Sequence, residues 1–178
     1  MSGITDGQTK PNLPKASPRS AFADALYAEM MRRGNLWLLY GDLGYGVLDK
    51  IVRDFPGRCV NAGVAEQNMV GVAAGLATTG KTVVVFSITN FVALRPLEQI
   101  RNDVCYPNRD VKLVGVGVGE DYRTLGFTHH GVEDETIIRC LPNIRVVTAQ
   151  TVAQAREAVL DMFLFPGPFY LRLGRGTR

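Results

Sequence analysis

The chain has 178 residues, 46% hydrophobic and 21% charged, with a net charge of +3, which is the make-up of one soluble domain large enough to fold without a metal or disulfide. Scattered basic residues give no support to a nucleic-acid groove or a membrane-surface role; no stretch reaches 18 apolar residues, and the first 20 lack the apolar core of a signal peptide. The three cysteines, Cys59, Cys105 and Cys140, are odd in number and far apart, which fits neither a disulfide framework nor a zinc site and suits a reducing, cytoplasmic setting.

Residues 1–16 hold Gly, Pro, Thr and Lys with almost no large apolar side chains. They are expected to form a flexible tail, leaving 17–178 as the folded domain. Ser17-Pro18 is a good helix start, because proline at the first helical position loses no needed hydrogen bond. Phe22, Ala25, Leu26 and Met30 then share a face, and Gly34 supplies the stop. The chain alternates from there. Strands are predicted at 36–40 (LWLLY), 58–61, 81–86 (KTVVVF), 111–118 (VKLVGVGV), 144–148 (IRVVT) and 169–173 (FYLRL). Helices are predicted at 47–54, 65–79, 97–105, 133–140 and 152–163, with a Gly-rich loop over 119–132. Continuous apolar strands are covered on both faces, as in parallel sheets. The expected fold is therefore α/β, a three-layer, mostly parallel twisted sheet with helices on both faces. In such sheets function collects where loops leave the carboxyl ends of the strands.

Glu66 stands in the first turn of a helix that carries no other charge from 69 to 79. A structural reading makes it a complement to the helix dipole. The helix, however, is apolar enough to be buried all round, and a carboxylate at its start then faces an interface or cleft, where carboxylates are paired or working. Gly71 and Gly75 suit close packing against the sheet or a second copy of the chain.

The run Gly63-Val64-Ala65-Glu66-Gln67-Asn68, followed by 71–77 (GVAAGLA), resembles the pyrimidine-binding domain of transketolases. The likeness continues through 91–102 (FVALRPLEQIRN), 119–121 (GED), 128–134 (THHGVED), 141–147 (LPNIRVV) and 170–175 (YLRLGR), nearly the whole folded part. The resemblance implies thiamine diphosphate and Mg2+ as cofactors, with Glu66 bonded to the aminopyrimidine ring nitrogen so that the cofactor's own amine deprotonates its thiazolium carbon. It implies that Phe91 stacks on that ring, and that Asp42 lines the cofactor cleft. A core phenylalanine and a strand-end turn are the structural alternatives for those two. His129 matches a histidine that touches the sugar substrate, and Arg175 an arginine that receives its phosphate, with Arg19 as a second phosphate contact. Arg95 reads as orienting its loop or pairing with an acid, with substrate contact as the lesser alternative.

The sequence also departs from the family pattern. Ile88 and Leu94 stand where further aromatics often surround the pyrimidine, so Ile88 would line the ring as an aliphatic. Gly46 replaces a common phosphate-binding serine, and His130 a common glutamine. Phosphorylated substrates are therefore not implied by these positions. The magnesium-binding Gly-Asp-Gly start is absent, as is any cluster of hard oxygen ligands, so no metal site is assigned to this chain. The resemblance thus implies one domain of three, a subunit or fragment whose cofactor lies against a diphosphate-binding domain on another chain. The helix expected over 65–79 is apolar enough to need a partner, so self-association as a homodimer is expected through it. The expected activity is transfer of a two-carbon ketol unit between sugars. A beta-type subunit of a 2-oxo acid dehydrogenase, a deoxyxylulose phosphate synthase and a noncatalytic assembly module of the same fold are the alternatives.

Overall fold

The computed structural model describes residues 16–176; residues 1–15, where nearly all of the expected tail falls, lie outside it. Helix α1 (Pro18–Arg32) starts where Ser17 and Ser20 form a reciprocal capping box, with Pro18 in the first turn. The other elements are β1 (Leu36–Tyr40), α2 (Asp49–Asp54), β2 (Cys59–Asn61), α3 (Glu66–Ala77), β3 (Thr82–Ile88), α4 (Thr89–Ala93), α5 (Leu97–Gln99), β4 (Val111–Val116), α6 (Asp134–Arg139), β5 (Arg145–Ala149), α7 (Val152–Leu164) and β6 (Phe169–Leu173). The six strands form one sheet in the order β2-β1-β3-β4-β6-β5. Every pairing is parallel, so the sheet is wholly parallel rather than mostly so.

Successive side chains of a strand point to opposite faces, and here both faces are apolar. Val84 and Phe86 of β3 pack with Phe22, Leu26 and Met30 of α1 and with Val159 and Met162 of α7. Val83 and Val85 pack the other way, with Met69, Val70 and Ala73 of α3 and with Ile100 and Val104. Two separate cores, one per face, explain why the central strands β1 and β3 read as hydrophobic runs.

Four features differ from expectation. Residues 89–93 form a single helical turn where no element is expected. The helix expected over 97–105 is a short α turn continuing as a π-helix over Ile100–Cys105. Strand β4 ends at Val116 because Gly117 takes φ +95°, closing against the ring of Tyr122. Helix α3 is not buried all round: Gln67, Asn68, Val72 and Gly75 are exposed. At the far end of the chain, a Cβ at Gly176 would lie 2.8 Å from Pro18 Cδ, so the last described residues run against the start of α1. Among the described residues no helix is long and apolar enough to cross a membrane.

Candidate active site

The loops at the carboxyl ends of β1, β2, β3, β4 and β6 bring most of the expected residues to one rim. Glu66 opens α3 and is 3% exposed. Its two carboxylate oxygens accept hydrogen bonds from Arg95 Nη1 at 3.0 and 2.9 Å. Val64, Ala65, Gln67 and Asn68 complete a cleft of about 480 Å³ around this pair. Arg95 therefore does pair with an acid, and the acid is the one residue of the helix expected to carry chemistry. Its guanidinium carbon also lies 3.7 Å from the centre of the Phe91 ring, the geometry of a cation–π contact.

From Phe91 a line of stacked groups crosses the rim. The His129 ring meets Phe91 edge-on, with centres 4.9 Å apart. Tyr122 lies 6.3 Å beyond His129, also edge-on, and the Arg175 guanidinium sits 4.9 Å over the Tyr122 ring. Glu66, Arg95, Phe91, His129, Tyr122 and Arg175 thus form one continuous contact series. Sequence reasoning missed Tyr122, because an aromatic in a Gly-rich loop carries no periodic signal.

The loop that carries His129 is held from behind. His129 Nδ1 and Thr128 Oγ1 are hydrogen-bonded at 3.0 Å, and Asn90 Nδ2 donates to the Thr128 carbonyl at 3.3 Å. Gly119 and Gly131 exchange backbone hydrogen bonds of 2.7 and 2.8 Å. Arg172 Nη2 donates to the Gly131 carbonyl at 2.9 Å. The same guanidinium donates to Asp134 from Nε at 2.7 Å and from Nη2 at 3.0 Å, and Tyr170 donates its hydroxyl to Asp134 at 2.7 Å. Burial first, and the neighbouring Asp134 carboxylate second, push the Tyr170 hydroxyl far above its ordinary range, so it stays a neutral donor. The lone Arg in FYLRL was the available signal, since a cation inside an apolar strand needs a buried acid.

A second, larger cavity of about 720 Å³ lies beyond Tyr122, lined by Arg19, Arg123, Arg175, Glu120, Asp121 and Thr151 among others. The two arginines singled out from the sequence, Arg19 and Arg175, therefore share one cavity. Arg123 is paired with Glu120. Asp121 accepts the backbone N–H of Arg175 at 2.8 Å. Arg19 Nε is buried with no hydrogen-bond partner among the described residues, a donor that costs free energy unless something accepts from it.

Ile88 does not join the Glu66 cleft. It lines a separate cavity of about 120 Å³ with Arg19, Phe86, Val116 and Tyr122. Asp42 lines neither the Glu66 cleft nor the arginine cavity; it is exposed, with φ +52°. Hydrogen bonds from Asn61 and then Tyr45 hold its carboxyl below the ordinary range, which is the strand-end turn reading. Among the described residues no group of three or more His, Cys, Asp or Glu side chains is placed to hold a metal.

The transketolase pyrimidine-binding domain family matches residues 15–177. The chain belongs to this family. It is 39% identical over 162 residues to a putative transketolase C-terminal section of Methanocaldococcus jannaschii, covering 88% of this chain and 50% of that protein. It is likewise 39% identical over 122 residues to one of the subunits of the apulose-4-phosphate transketolase of Actinobacillus succinogenes, covering 68% and 39%. Among solved structures, a split-gene transketolase in an inactive beta4 tetramer superposes with a TM-score of 0.80 at 35% identity, covering 93% of this chain and 54% of that one. The Campylobacter jejuni transketolase superposes at 0.81 with 15% identity, covering 89% and 26%, a likeness of fold. The chain thus spans about half the length, or less, of the curated relatives it matches. Transketolases and deoxyxylulose phosphate synthases, which are also among its relatives, imply dependence on thiamine diphosphate. The residues present fit an aminopyrimidine: a buried carboxylate opens on a cleft beside an aromatic face, and its cationic partner is 44% exposed. They do not fit a magnesium ion.

Proposed function

We propose that this chain is the pyrimidine-binding part of a split transketolase-type enzyme that transfers a two-carbon ketol unit. The diphosphate and Mg2+ would be held by a diphosphate-binding partner chain. The observation that carries the reading is the burial of Glu66 in a cleft whose Arg95 lies against Phe91, which in turn meets His129. In this reading Glu66 holds the protonated ring nitrogen of the aminopyrimidine, and Phe91 offers the ring an apolar face. When bound, the cofactor supplies the carbon nucleophile and electron sink. His129 projects from a loop fixed by the Asp134–Arg172–Tyr170 cluster and donates to or accepts from an oxygen of the sugar. Ile88, in its separate cavity, and Asp42, in its strand-end turn, are assigned no contact with the cofactor in this reading.

Arg19 and Arg175 support a sugar with an anionic tail. Two neighbouring carboxylates are already engaged, Glu120 by Arg123 and Asp121 by the Arg175 backbone, which leaves cationic donors facing the cavity. Relatives named for apulose-4-phosphate and for 6-deoxy-6-sulfo-D-fructose act, by those names, on sugars that carry such tails.

The test is reconstitution with a diphosphate-binding chain, magnesium and thiamine diphosphate, followed by a ketol-transfer assay. Glu66→Gln keeps the shape of the side chain and removes its charge, and is expected to lower the turnover by at least about a hundredfold, the lower end for a group that sets proton transfer. Unchanged turnover would remove Glu66 from the mechanism. A fully formed complex that binds the cofactor and transfers nothing would favour the noncatalytic module.

A further inference from the structure

Arg95 occupies, in the free chain, both contacts that the proposed reading assigns to the aminopyrimidine. Its Nη1 spans the two oxygens of Glu66 at 3.0 and 2.9 Å, and its guanidinium lies over Phe91 at 3.7 Å. A planar cation that stacks on an aromatic ring while donating to a carboxylate imitates a protonated nitrogen heterocycle. Glu66 is almost fully buried, whereas the Arg95 side chain is 44% exposed. The carboxylate is thus fixed and the arginine is the movable member.

We propose that Arg95 is an intramolecular latch that fills the aminopyrimidine subsite until the ring displaces it. This rests on the assignment of Glu66 and Phe91 to that subsite. Two physical consequences follow. With the latch shut, the buried carboxylate keeps a counter-ion while the cleft is free of cofactor, which avoids an uncompensated buried charge. Loading the ring requires the guanidinium to swing out to solvent, so the apparent affinity equals the intrinsic affinity reduced by the fraction of chains with the latch open. Arg95 therefore makes the cleft selective for rings that offer both a donor to Glu66 and a face to Phe91, since a ligand that makes one contact alone does not replace the arginine.

The experiment has two arms. In the first, urea unfolding of the free chain is measured for the native protein, Glu66→Gln, Arg95→Ala and the double variant. A coupling of at least about fivefold in the unfolding equilibrium is expected for a charge pair with one buried member; additive effects would overturn the latch. In the second, thiamine diphosphate binding to the complex with the diphosphate-binding chain and magnesium is measured by calorimetry. Arg95→Ala is expected to bind about three- to tenfold more tightly than the native chain, with Arg95→Gln, which keeps the stem and a weaker donor, in between. Unchanged or weaker binding by Arg95→Ala would overturn the latch, the latter making the arginine a support of the bound ring. No binding by the native complex, with the unfolding coupling intact, would overturn the cofactor reading and with it the latch's role, while leaving the Glu66–Arg95 pair established.

Discussion

Asp134 and Arg172 show how much of the rim depends on groups buried behind it. Both are buried, and Arg172 distributes its donors over Asp134, Glu135, Thr148 and the Gly131 carbonyl. A buried pair of this kind contributes little net stability, but removing one partner strands the other. Asp134→Asn is expected to cost about 3–5 kcal/mol in chemical denaturation. Cysteine chemistry provides a second check at this scale. Burial pushes the Cys59 thiol up to about 11 and the Cys105 thiol up to about 12, so both stay protonated and unreactive at about pH 8. Cys140 is exposed. Ellman's reagent under those conditions should therefore titrate one thiol per folded chain quickly, and all three only after unfolding.

At the scale of elements, the loop over 117–132 depends on close approach. Gly131 adopts no unusual φ, but a Cβ there would lie 2.6 Å from Thr89 Cγ2 and 2.7 Å from the Gly117 carbonyl. Gly131→Ala must push the His129 loop away from α4. The expected result is a loss of substrate turnover with little change in the fold, read as intact far-ultraviolet circular dichroism beside reduced ketol transfer. This is also the scale at which the sequence is most and least legible. Apolar runs locate every strand except the short, largely exposed β2, and Ser17-Pro18 locates the start of α1, because burial and capping act on neighbouring residues. The Thr89–Ala93 turn is hidden because five residues are too few to show a period. The π-helix after α5 is hidden because its hydrogen-bond register follows tertiary packing rather than residue type. Glu66, Phe91, His129 and Arg175 stand out through family motifs, and the structure brings them into one series. Their links, Arg95 to Glu66 and Tyr122 between His129 and Arg175, are contacts across distant segments, which no local pattern encodes.

At the scale of the whole molecule, α3 leaves an unpartnered face. Val72 is 42% exposed, and Gly71, Gly75 and Thr78 line a groove of about 350 Å³ with Asn102, Asp103 and Pro107. The expected homodimer would use this face, since small residues permit close helix approach. Gly75→Arg separates folding from association: a Cβ at Gly75 meets nothing within 4 Å, and a cation near a helix C-terminus is favourable. Sedimentation velocity should show the native chain above monomer mass and Gly75→Arg shifted toward monomer. A native monomer at all concentrations would remove this face as an interface.

The approach of Gly176 to Pro18 carries a consequence for how this unit can be joined to others. The first and last described residues lie side by side on one rim, so joining other segments at these two places need not disturb the sheet between them. The domain behaves as a cassette. Tethering residue 17 to residue 176 through a short glycine linker and opening the chain at the exposed Thr79-Gly80 turn would rearrange the order of synthesis while leaving all six strands in register.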